Sequence, residues 1–186
     1  MSRVVQIVDK DQIDEEYHGI FDSITSSRGT ISGPFSVLLH SPEIAGRAAH
    51  LGEYVRFKSG LSDDEREIAI LTAARELDCR YEWGAHEPIA RASGVSDSTI
   101  STIALRGNIS NIVTSEEIII SYVRQLIGDH RVSPKLFNRA LNLLGLTGLT
   151  ELTATAGYYV MLACALNAFD VEPTHDMPVL PDTPFD

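Results

Sequence analysis

The chain has 186 residues, of which 44% are hydrophobic, which is enough apolar material for the core of one domain. Its 15 basic and 26 acidic residues give a formal net charge of −11 at pH 7. Proteins that bind a nucleic-acid backbone or an anionic membrane rely on clustered lysine and arginine, so this charge argues against both kinds of partner.

Neither end of the chain carries the pattern of an exported or membrane protein. The N-terminal residues MSRVVQIVDKDQIDEEYHG have charges every few positions and lack the apolar core of a signal peptide. The longest strongly apolar stretch, YYVMLACALNAF, is about half of the roughly 20 residues that a membrane-spanning helix needs. Two distant cysteines do not make a disulfide framework. The sequence therefore predicts a cytoplasmic protein with reduced thiols.

Helix boundary signals recur from residue 41 onward. Ser41 is a candidate N-cap and Pro42 suits the first helical position, which predicts a helix that ends near Gly60. The next helix begins with an S-x-x-E capping box made of Ser62 and Glu65. It contains the run IAILTAA, which is apolar nearly all round. Such a run predicts a central helix with neighbours on several sides.

Two further helices are predicted in the middle of the chain. A short one is expected over SDSTISTIALRG, residues 96–107. In the segment TSEEIIISYVRQLIGDH, Thr114 and Glu117 form a second capping box. The β-branched run EEIIISYV also suits a strand, but the capping box and the period of VRQLI favour a helix.

The last signals predict two helices and complete the fold class. A proline directly after Ser133 starts one helix, which is expected to stop near Gly145. Thr147 or Thr150 is expected to cap a long helix that reaches about Phe169. With the segment around residues 79–90, this makes about seven helices, so the predicted fold is all-α.

The predicted organisation has three parts. Residues 1–30 form an N-terminal segment, residues 31–170 form the helical domain, and residues 171–186 form a tail. The tail, VEPTHDMPVLPDTPFD, contains four prolines and is therefore expected to be extended. It is predicted to lie on its own domain or on a neighbouring subunit.

The stretch CRYEWGAHEPIA concentrates reactive side chains in an otherwise aliphatic chain. In a helix, residues three, four and seven apart share a face, which predicts one stripe of side chains: Cys79, Glu82, Trp83 and His86. Glu82 and His86 are four apart, so the carboxylate can bond to the imidazole, fix its tautomer and support general acid–base catalysis. The ring of Pro88 clashes with the carbonyl four residues earlier, which predicts a kink or widened turn around His86.

Each of these features also has a purely structural interpretation. A Glu–His pair on a helix commonly serves the fold alone, and a buried cysteine commonly acts as a small hydrophobic side chain. Cys164, within VMLACALN, is expected to lie in the core. The histidines match no metal-ligand spacing such as H-E-x-x-H, and the chain has no glycine-rich phosphate loop and no G-x-S-x-G motif. The sequence therefore predicts no metal site and no cofactor.

The residues around this stretch resemble a known family. The pattern REIAILTAARELDCRYEWGAHEPIARASGVSDSTI is similar to the core of the carboxymuconolactone decarboxylase and alkylhydroperoxidase D-like family. The segments GPFSVLLHSPEIAGRAAHLGEYVRF and ELTATAGYYVMLACALNAFDVEP resemble its flanks, so the resemblance covers most of residues 31–173. It implies an all-α domain with a pocket between its helices, a small-molecule substrate and assembly into a homo-oligomer.

The peroxidase branch of that family has a Cys-x-x-Cys pair, two histidines and an upstream glutamate. The resemblance places the first cysteine, the later histidine and the glutamate on Cys79, His86 and Glu67. The second cysteine position holds Glu82, and the other histidine position holds Tyr81. A carboxylate forms no disulfide and does not favour a neighbouring thiolate, so self-contained disulfide cycling is not expected. Glu82 four residues before His86 is instead similar to the decarboxylase branch.

The resemblance to decarboxylases implies a set of substrate contacts. His86 is expected to move a proton on the substrate carbon, with Glu82 and Glu67 controlling its protonation. The side chains predicted to contact the substrate are Tyr81, Trp83 and Arg80. Arg80 is a candidate anchor for a substrate carboxylate. Further candidate cations are Arg75 and, in the loop SSRGTISGPF that is expected at the pocket mouth, Arg28.

Three functions are compatible with the sequence. The first is an enzyme of this family that performs proton-transfer chemistry, such as decarboxylation or lactone opening, on a small organic acid through His86 and Glu82. The second is a thiol-dependent peroxidase that uses Cys79, resolved by an external thiol or by Cys164. The third is a non-catalytic ligand-binding or assembly protein, in which changes to Glu82 and His86 alter stability or binding and no reaction is lost.

Overall fold

The computed structural model describes residues 2–182, which contain helices and no strand, so the predicted all-α class is confirmed. Two single 3-10 turns at Lys10–Gln12 and Glu15–Tyr17 precede the first α-helix. The described helices are, in chain order, α1 (His18–Arg28), α2 (Pro34–Leu38), α3 (Pro42–Phe57), α4 (Asp63–Glu76), α5 (Arg80–Ala92), α6 (Asp97–Ala104), α7 (Thr114–Gly128) and α8 (Pro134–Phe169).

The helices α1 and α2 have no counterpart among the predicted elements. Helix α1, HGIFDSITSSR, is rich in serine, threonine and isoleucine, which are mediocre helix formers, and it buries only Phe21 and Ile24. Helix α2 is five residues long, too short for an apolar period to show. Both are held by tertiary packing, since α1 lies on α3 and α2 lies on α8.

Helix α4 is the centre of the fold. Every residue from Glu67 to Arg75 is buried, and the helix contacts α5, α6, α7 and α8. Its predicted first turn is present, because the Glu65 carboxylate accepts a hydrogen bond of 3.0 Å from the Ser62 backbone N–H. The prediction of a central helix over IAILTAA therefore agrees with the structure.

The capping box predicted for α7 is wrong. The N-cap residue is Val113, so Thr114 is already the first helical residue and its side chain caps nothing. The Glu117 carboxylate instead accepts a hydrogen bond of 3.1 Å from the Ser121 hydroxyl and pairs with Arg139 of α8. The glutamate thus joins two helices rather than closing one helix end.

Helix α8 contains the predicted stop at Gly145. That residue has φ 69° and ψ 176°, outside the helical region, and the helix resumes directly after it. Thr150 does not cap the second part, because its hydroxyl donates to the Leu146 carbonyl at 2.8 Å, one turn back. By length and composition alone α8 could cross a membrane, contrary to the sequence estimate. Its buried side chains pack on α4 and α7, which makes it a core helix of this fold.

The described part of the predicted tail, residues 171–182, lies on its own domain and is called the strap below. Arg75 of α4 donates a hydrogen bond of 2.7 Å to the carbonyl of Pro181. At Gly84 of α5 the strap is so close that a Cβ would lie 2.8 Å from the Cβ of Met177. Glycine is therefore required where the strap crosses α5. The last four residues of the tail lie outside the described residues.

Several large apolar side chains are exposed on α3 and on α8 near Gly145. The clearest examples are Leu51, Tyr54, Phe57 and Leu146. An assembly of several copies would bury such a surface. The expected homo-oligomer stays a prediction.

Candidate active site

A cavity of about 200 Å³ lies between the loop before α2 and helices α3, α5 and α8, with the strap as one wall. For comparison, a cavity of about 150 Å³ holds benzene, so this space suits a small organic molecule. The polar side chains on its wall are Arg28, Thr30, Ser32, Arg56, Tyr81, Glu82, His86, Tyr158 and Tyr159. The cavity therefore joins acidic, basic and phenolic groups around one ligand-sized space.

His86 lies between two glutamates in the described structure. Its Nδ1 is 2.7 Å from Oε2 of Glu67 on α4, and its Nε2 is 3.6 Å from Oε2 of Glu82 on α5. All three side chains are buried. The short bond thus runs to Glu67, while the predicted Glu82–His86 contact is longer than a hydrogen bond. Residues 2–182 hold no group of three or more acidic, histidine or cysteine side chains suited to a metal ion.

The Glu67 contact fixes the imidazole. A carboxylate oxygen accepts, so a neutral imidazole keeps its proton on Nδ1 and presents the Nε2 lone pair toward Glu82 and the cavity. The ring of Tyr159 packs edge-on against His86, with centroids 5.0 Å apart and an interplanar angle of 87°. Together these contacts hold Nε2 in the position of a general base or of a proton relay.

Glu82 supplies a carboxyl group to the cavity wall. Burial raises the pKa of its carboxyl above the ordinary value, and the neighbouring His86 lowers this pKa only in part. Its Oε1 atom is buried and has no hydrogen-bond partner in the structure. A buried oxygen without a partner is costly unless a ligand or water satisfies it. Glu82 is therefore placed to hold a proton and to contact a bound molecule.

We expect Glu82→Gln to make stability less dependent on pH. Because the folded-state pKa of Glu82 is raised, the folded protein binds more protons than the unfolded chain above the ordinary pKa of 4.5. Wild-type stability attributable to Glu82 is thus complete below pH 4.5 and is lost as pH rises through the raised pKa, by at most about 1.4 kcal/mol per pH unit. The glutamine side chain cannot ionise. Between pH 4.5 and the raised pKa, the free energy of unfolding of the variant should therefore increase relative to that of the wild type.

Urea unfolding at a series of pH values measures this difference. Glu172→Gln, at an exposed carboxylate, is the control. Its free energy of unfolding plotted against pH should be parallel to that of the wild type. Parallel curves for Glu82→Gln would show that Glu82 ionises as easily in the folded protein as in the unfolded chain.

Cys79 lies outside the cavity wall. It is the N-cap of α5, and its side chain is fully buried in a small apolar cluster with Val37, Ala163, Leu166 and Val171. Burial raises the pKa of its thiol to about 12. The structure therefore gives it the surroundings of a packed thiol rather than of a reactive one.

Cys164 does not lie in the core, so that prediction is wrong. It is exposed on α8, directly after the buried Ala163. Apolar neighbours in sequence led to the core interpretation, but a helix turns by about 100° per residue, so adjacent side chains point in different directions. Both cysteines are free.

Other predicted contact residues also lie away from the cavity. Trp83 is buried in the main core, because it stands about 100° around the helix from Glu82. Arg80 lines a separate surface depression beside Asp78. Arg75 is buried and bonded to Asp78 and to the strap. Tyr81 does line the cavity.

Arg28 lies on the cavity wall as the loop pattern suggested, but other wall residues were not predicted. Among them are Arg56, Tyr158, Tyr159 and Met177. They come from α3, α8 and the strap, far from CRYEWGAHEPIA in sequence. Two sequence signals for these wall residues were available. One is the pair of adjacent tyrosines within a long apolar helix, and the other is the single arginine near the end of α3.

Gly52 of α3 makes room for two of these side chains. A Cβ at this position would overlap the Tyr158 hydroxyl and would lie 2.7 Å from Nη2 of Arg28. We expect Gly52→Ala to lower the free energy of unfolding by about 1–3 kcal/mol, since overpacking forces buried groups to move. Gly19→Ala on α1 is the matched control, because no atom lies within 4 Å of its added Cβ. It should be neutral or stabilising by up to about 1 kcal/mol in denaturant unfolding. Equal stability of the two variants would contradict the close packing at Gly52.

Residues 42–118 match the sequence model of the carboxymuconolactone decarboxylase family. That match covers α3 to α6 and the start of α7, which include Glu67, Glu82 and His86. No curated protein matches the chain.

Two solved structures share its fold. One is the alkylhydroperoxidase AhpD core of an uncharacterized peroxidase-related protein from Ralstonia eutropha JMP134, with a TM-score of 0.75 and 17% identity, covering 94% of this chain and 93% of that chain. The other is a protein of unknown function from Agrobacterium tumefaciens, described as a putative antioxidant defence protein AhpD, with a TM-score of 0.67 and 16% identity, covering 77% of this chain and 99% of that chain. At such low identity these likenesses establish the fold.

Proposed function

Because this chain belongs to the carboxymuconolactone decarboxylase family through its residues 42–118, we propose that it is an enzyme of proton-transfer chemistry on a small organic acid. The reaction is a decarboxylation or a lactone opening, and Glu82 and His86 are its acid–base pair. The observation that carries the proposal is the arrangement of His86, which lies 2.7 Å from Glu67 and 3.6 Å from Glu82 at the edge of a ligand-sized cavity.

Decarboxylation needs an electron sink, which the substrate supplies, and a proton donor, which this site supplies. When the bond between a carbon and its carboxylate breaks, the electron pair stays on that carbon and is delocalised into a conjugated carbonyl, while carbon dioxide leaves. The carbon must then receive a proton. Glu82, whose pKa is raised by burial, supplies this proton, and His86 Nε2 relays the replacement proton to Glu82.

Lactone opening uses the same groups, with His86 as the general base. The Nε2 lone pair of His86 accepts a proton from the attacking water, and Glu67 stabilises the imidazolium that forms at 2.7 Å. A protonated Glu82 then donates to the leaving alkoxide. The burial of all three groups strengthens these interactions.

The surroundings of the cysteines favour this proposal over the thiol-dependent alternative. A peroxidatic cysteine needs thiolate character and access to the peroxide. The Cys79 thiol is buried in an apolar cluster and its pKa is raised to about 12. The position three residues later holds Glu82, which cannot resolve a sulfenic acid.

The proposal is tested with a panel of small lactone acids and 3-keto acids in deuterated water. Nuclear magnetic resonance then records loss of the carboxyl carbon, ring opening and deuterium at the product carbon. We expect turnover of at least one acid, dependent on His86. Binding of acids without any reaction would support a ligand-binding protein, and consumption of peroxide dependent on Cys79 would support the peroxidase.

A further inference from the structure

We propose that Arg28, Arg56 and the Tyr158 hydroxyl form a subsite for a carboxylate that the substrate retains through the reaction. The subsite faces the same cavity as Glu82 and His86. Binding of a carboxylate there follows from geometry alone, whereas its retention through a reaction rests on the proposed function.

The two arginines lack the partners that an acidic protein normally supplies. Within residues 2–182, neither guanidinium forms an ion pair with a carboxylate, although the chain has 26 acidic residues. Glu53, one turn before Arg56, pairs with Lys58 at 2.6 Å instead. The Nε atom of Arg28 is buried and has no hydrogen-bond partner. Glu82 lies on the same wall but forms no ion pair with either arginine, its charged contact being His86. Two cations on one cavity wall without an ion-pair partner suit an anionic ligand.

Tyr158 adds a neutral donor to this pair. Its hydroxyl is buried and has no hydrogen-bond partner among the described residues. Burial raises the pKa of the phenol to about 12, so it keeps its proton and donates it to an anion. Gly52 brings the hydroxyl and Nη2 of Arg28 together, because a Cβ there would contact both. The Arg28 guanidinium is itself held over the Phe35 ring, 4.4 Å from its centroid.

The chemistry decides which carboxylate these cations hold. A carboxylate that leaves as carbon dioxide loses its charge in the transition state, so two arginines on it would stabilise the ground state more and slow the reaction. A carboxylate that stays charged throughout is anchored without that penalty. The reacting group, a second carboxyl or a lactone, then lies at the Glu82 end. The substrate class is therefore a small acid with a retained carboxylate and a separate reacting group.

Calorimetric titration with benzoate and with its uncharged analogue benzamide tests the subsite without knowledge of the substrate. We expect wild-type protein to bind benzoate at least about tenfold more tightly than benzamide. Arg28→Gln and Arg56→Gln should each weaken benzoate binding by about 10- to 100-fold, and Tyr158→Phe should weaken it by a smaller factor. Arg47→Gln, at an exposed arginine of α3, is the control and should leave binding unchanged.

Each result separates this inference from the proposed function. Benzoate should still bind to His86→Asn, whose acid–base chemistry is removed. Three results would overturn the subsite even if an acid is turned over. These are equal binding of benzoate and benzamide, no binding of benzoate, and benzoate affinity that is the same in the wild type and in both arginine variants. If no acid is turned over but the titrations give the expected pattern, the subsite stands and the proposed function fails. Every acid that is turned over should keep in its product a carboxylate that the substrate already carried, apart from any carboxylate that lactone opening creates. A product that keeps none of the substrate's carboxylates would contradict the retained group.

Discussion

Iodoacetamide is expected to alkylate Cys164 of the folded protein and to leave Cys79 unmodified. The thiolate is the reacting form of a cysteine, and burial raises the pKa of the Cys79 thiol from 9.0 to about 12. Three pKa units lower the thiolate fraction at pH 7 by roughly 1000-fold. Cys164 is exposed and accessible to the reagent in the described chain. Mass spectrometry of peptides after timed labelling measures both rates.

A brief peroxide pulse extends the same experiment to the redox alternative. Unfolded protein is the control, because both thiols should then react at similar rates. If the folded protein passes quickly to a sulfenate at Cys79, or to a disulfide with Cys164, the thiol is activated in a way that its apolar surroundings do not provide. That outcome would replace the acid–base proposal by a peroxidase.

Replacement of His86 by asparagine is expected to lower turnover of the acid substrate by about 10²- to 10⁴-fold, the usual contribution of a general acid–base group. Asparagine can still donate a hydrogen bond to Glu67 from near the Nδ1 position, but it has no counterpart of Nε2. Glu67→Gln leaves Nε2 in place and weakens control of the tautomer. It should therefore lower kcat and change the pH dependence of kcat, with a smaller effect on KM.

The matched control for both variants is Glu87→Gln. Glu87 is a buried carboxylate on the same helix, but it pairs with Arg91 and lies off the cavity wall. Its replacement should leave turnover unchanged. Unfolding curves for all three variants separate loss of chemistry from loss of the fold. Full activity of a folded His86→Asn protein would contradict the assigned role.

The parts of the site that the sequence predicted are local in the chain. Glu82 and His86 are four residues apart, so helical geometry alone places them on one side of α5. The capping box of Ser62 and Glu65 sets the start of α4, and the family pattern then identified Glu67 on that helix. The apolar run of α4 also gave its central position, because a helix without a polar face must be covered on all sides.

The parts that were missed depend on contacts between distant elements. Arg56, Tyr158 and Met177 reach the cavity from α3, α8 and the strap, and no spacing rule connects those segments to α5. Direction around a helix caused the other errors. The sequence analysis placed Trp83 and His86 on one stripe of the helix. That stripe is wider than the part of the helix surface that faces the cavity, so His86 lines the cavity and Trp83 lies in the core.

Helix α5 extends from Arg80 to Ala92 with Pro88 inside it, and the kink or widened turn expected around His86 stays a prediction. The proline follows the residues that line the cavity. Glu82 and His86 lie in the first two turns of α5, before the proline.

The strap has a consequence for the native-state fluctuations of the protein. Its first residue, Val171, is buried and donates a backbone hydrogen bond to the Leu166 carbonyl. Further along, its contacts include the Arg75–Pro181 hydrogen bond, the buried Leu180 side chain and the approach of Met177 to Gly84, whereas α4 is buried over nine consecutive residues, Glu67 to Arg75. A segment with few anchors detaches at a much lower free energy than a central helix, which exchanges its amide hydrogens only on global unfolding. Opening of the strap removes Met177 from the cavity wall and leaves the Glu67–His86 pair assembled. We therefore expect the strap amides to exchange on the timescale of a loop motion while the helical core stays intact.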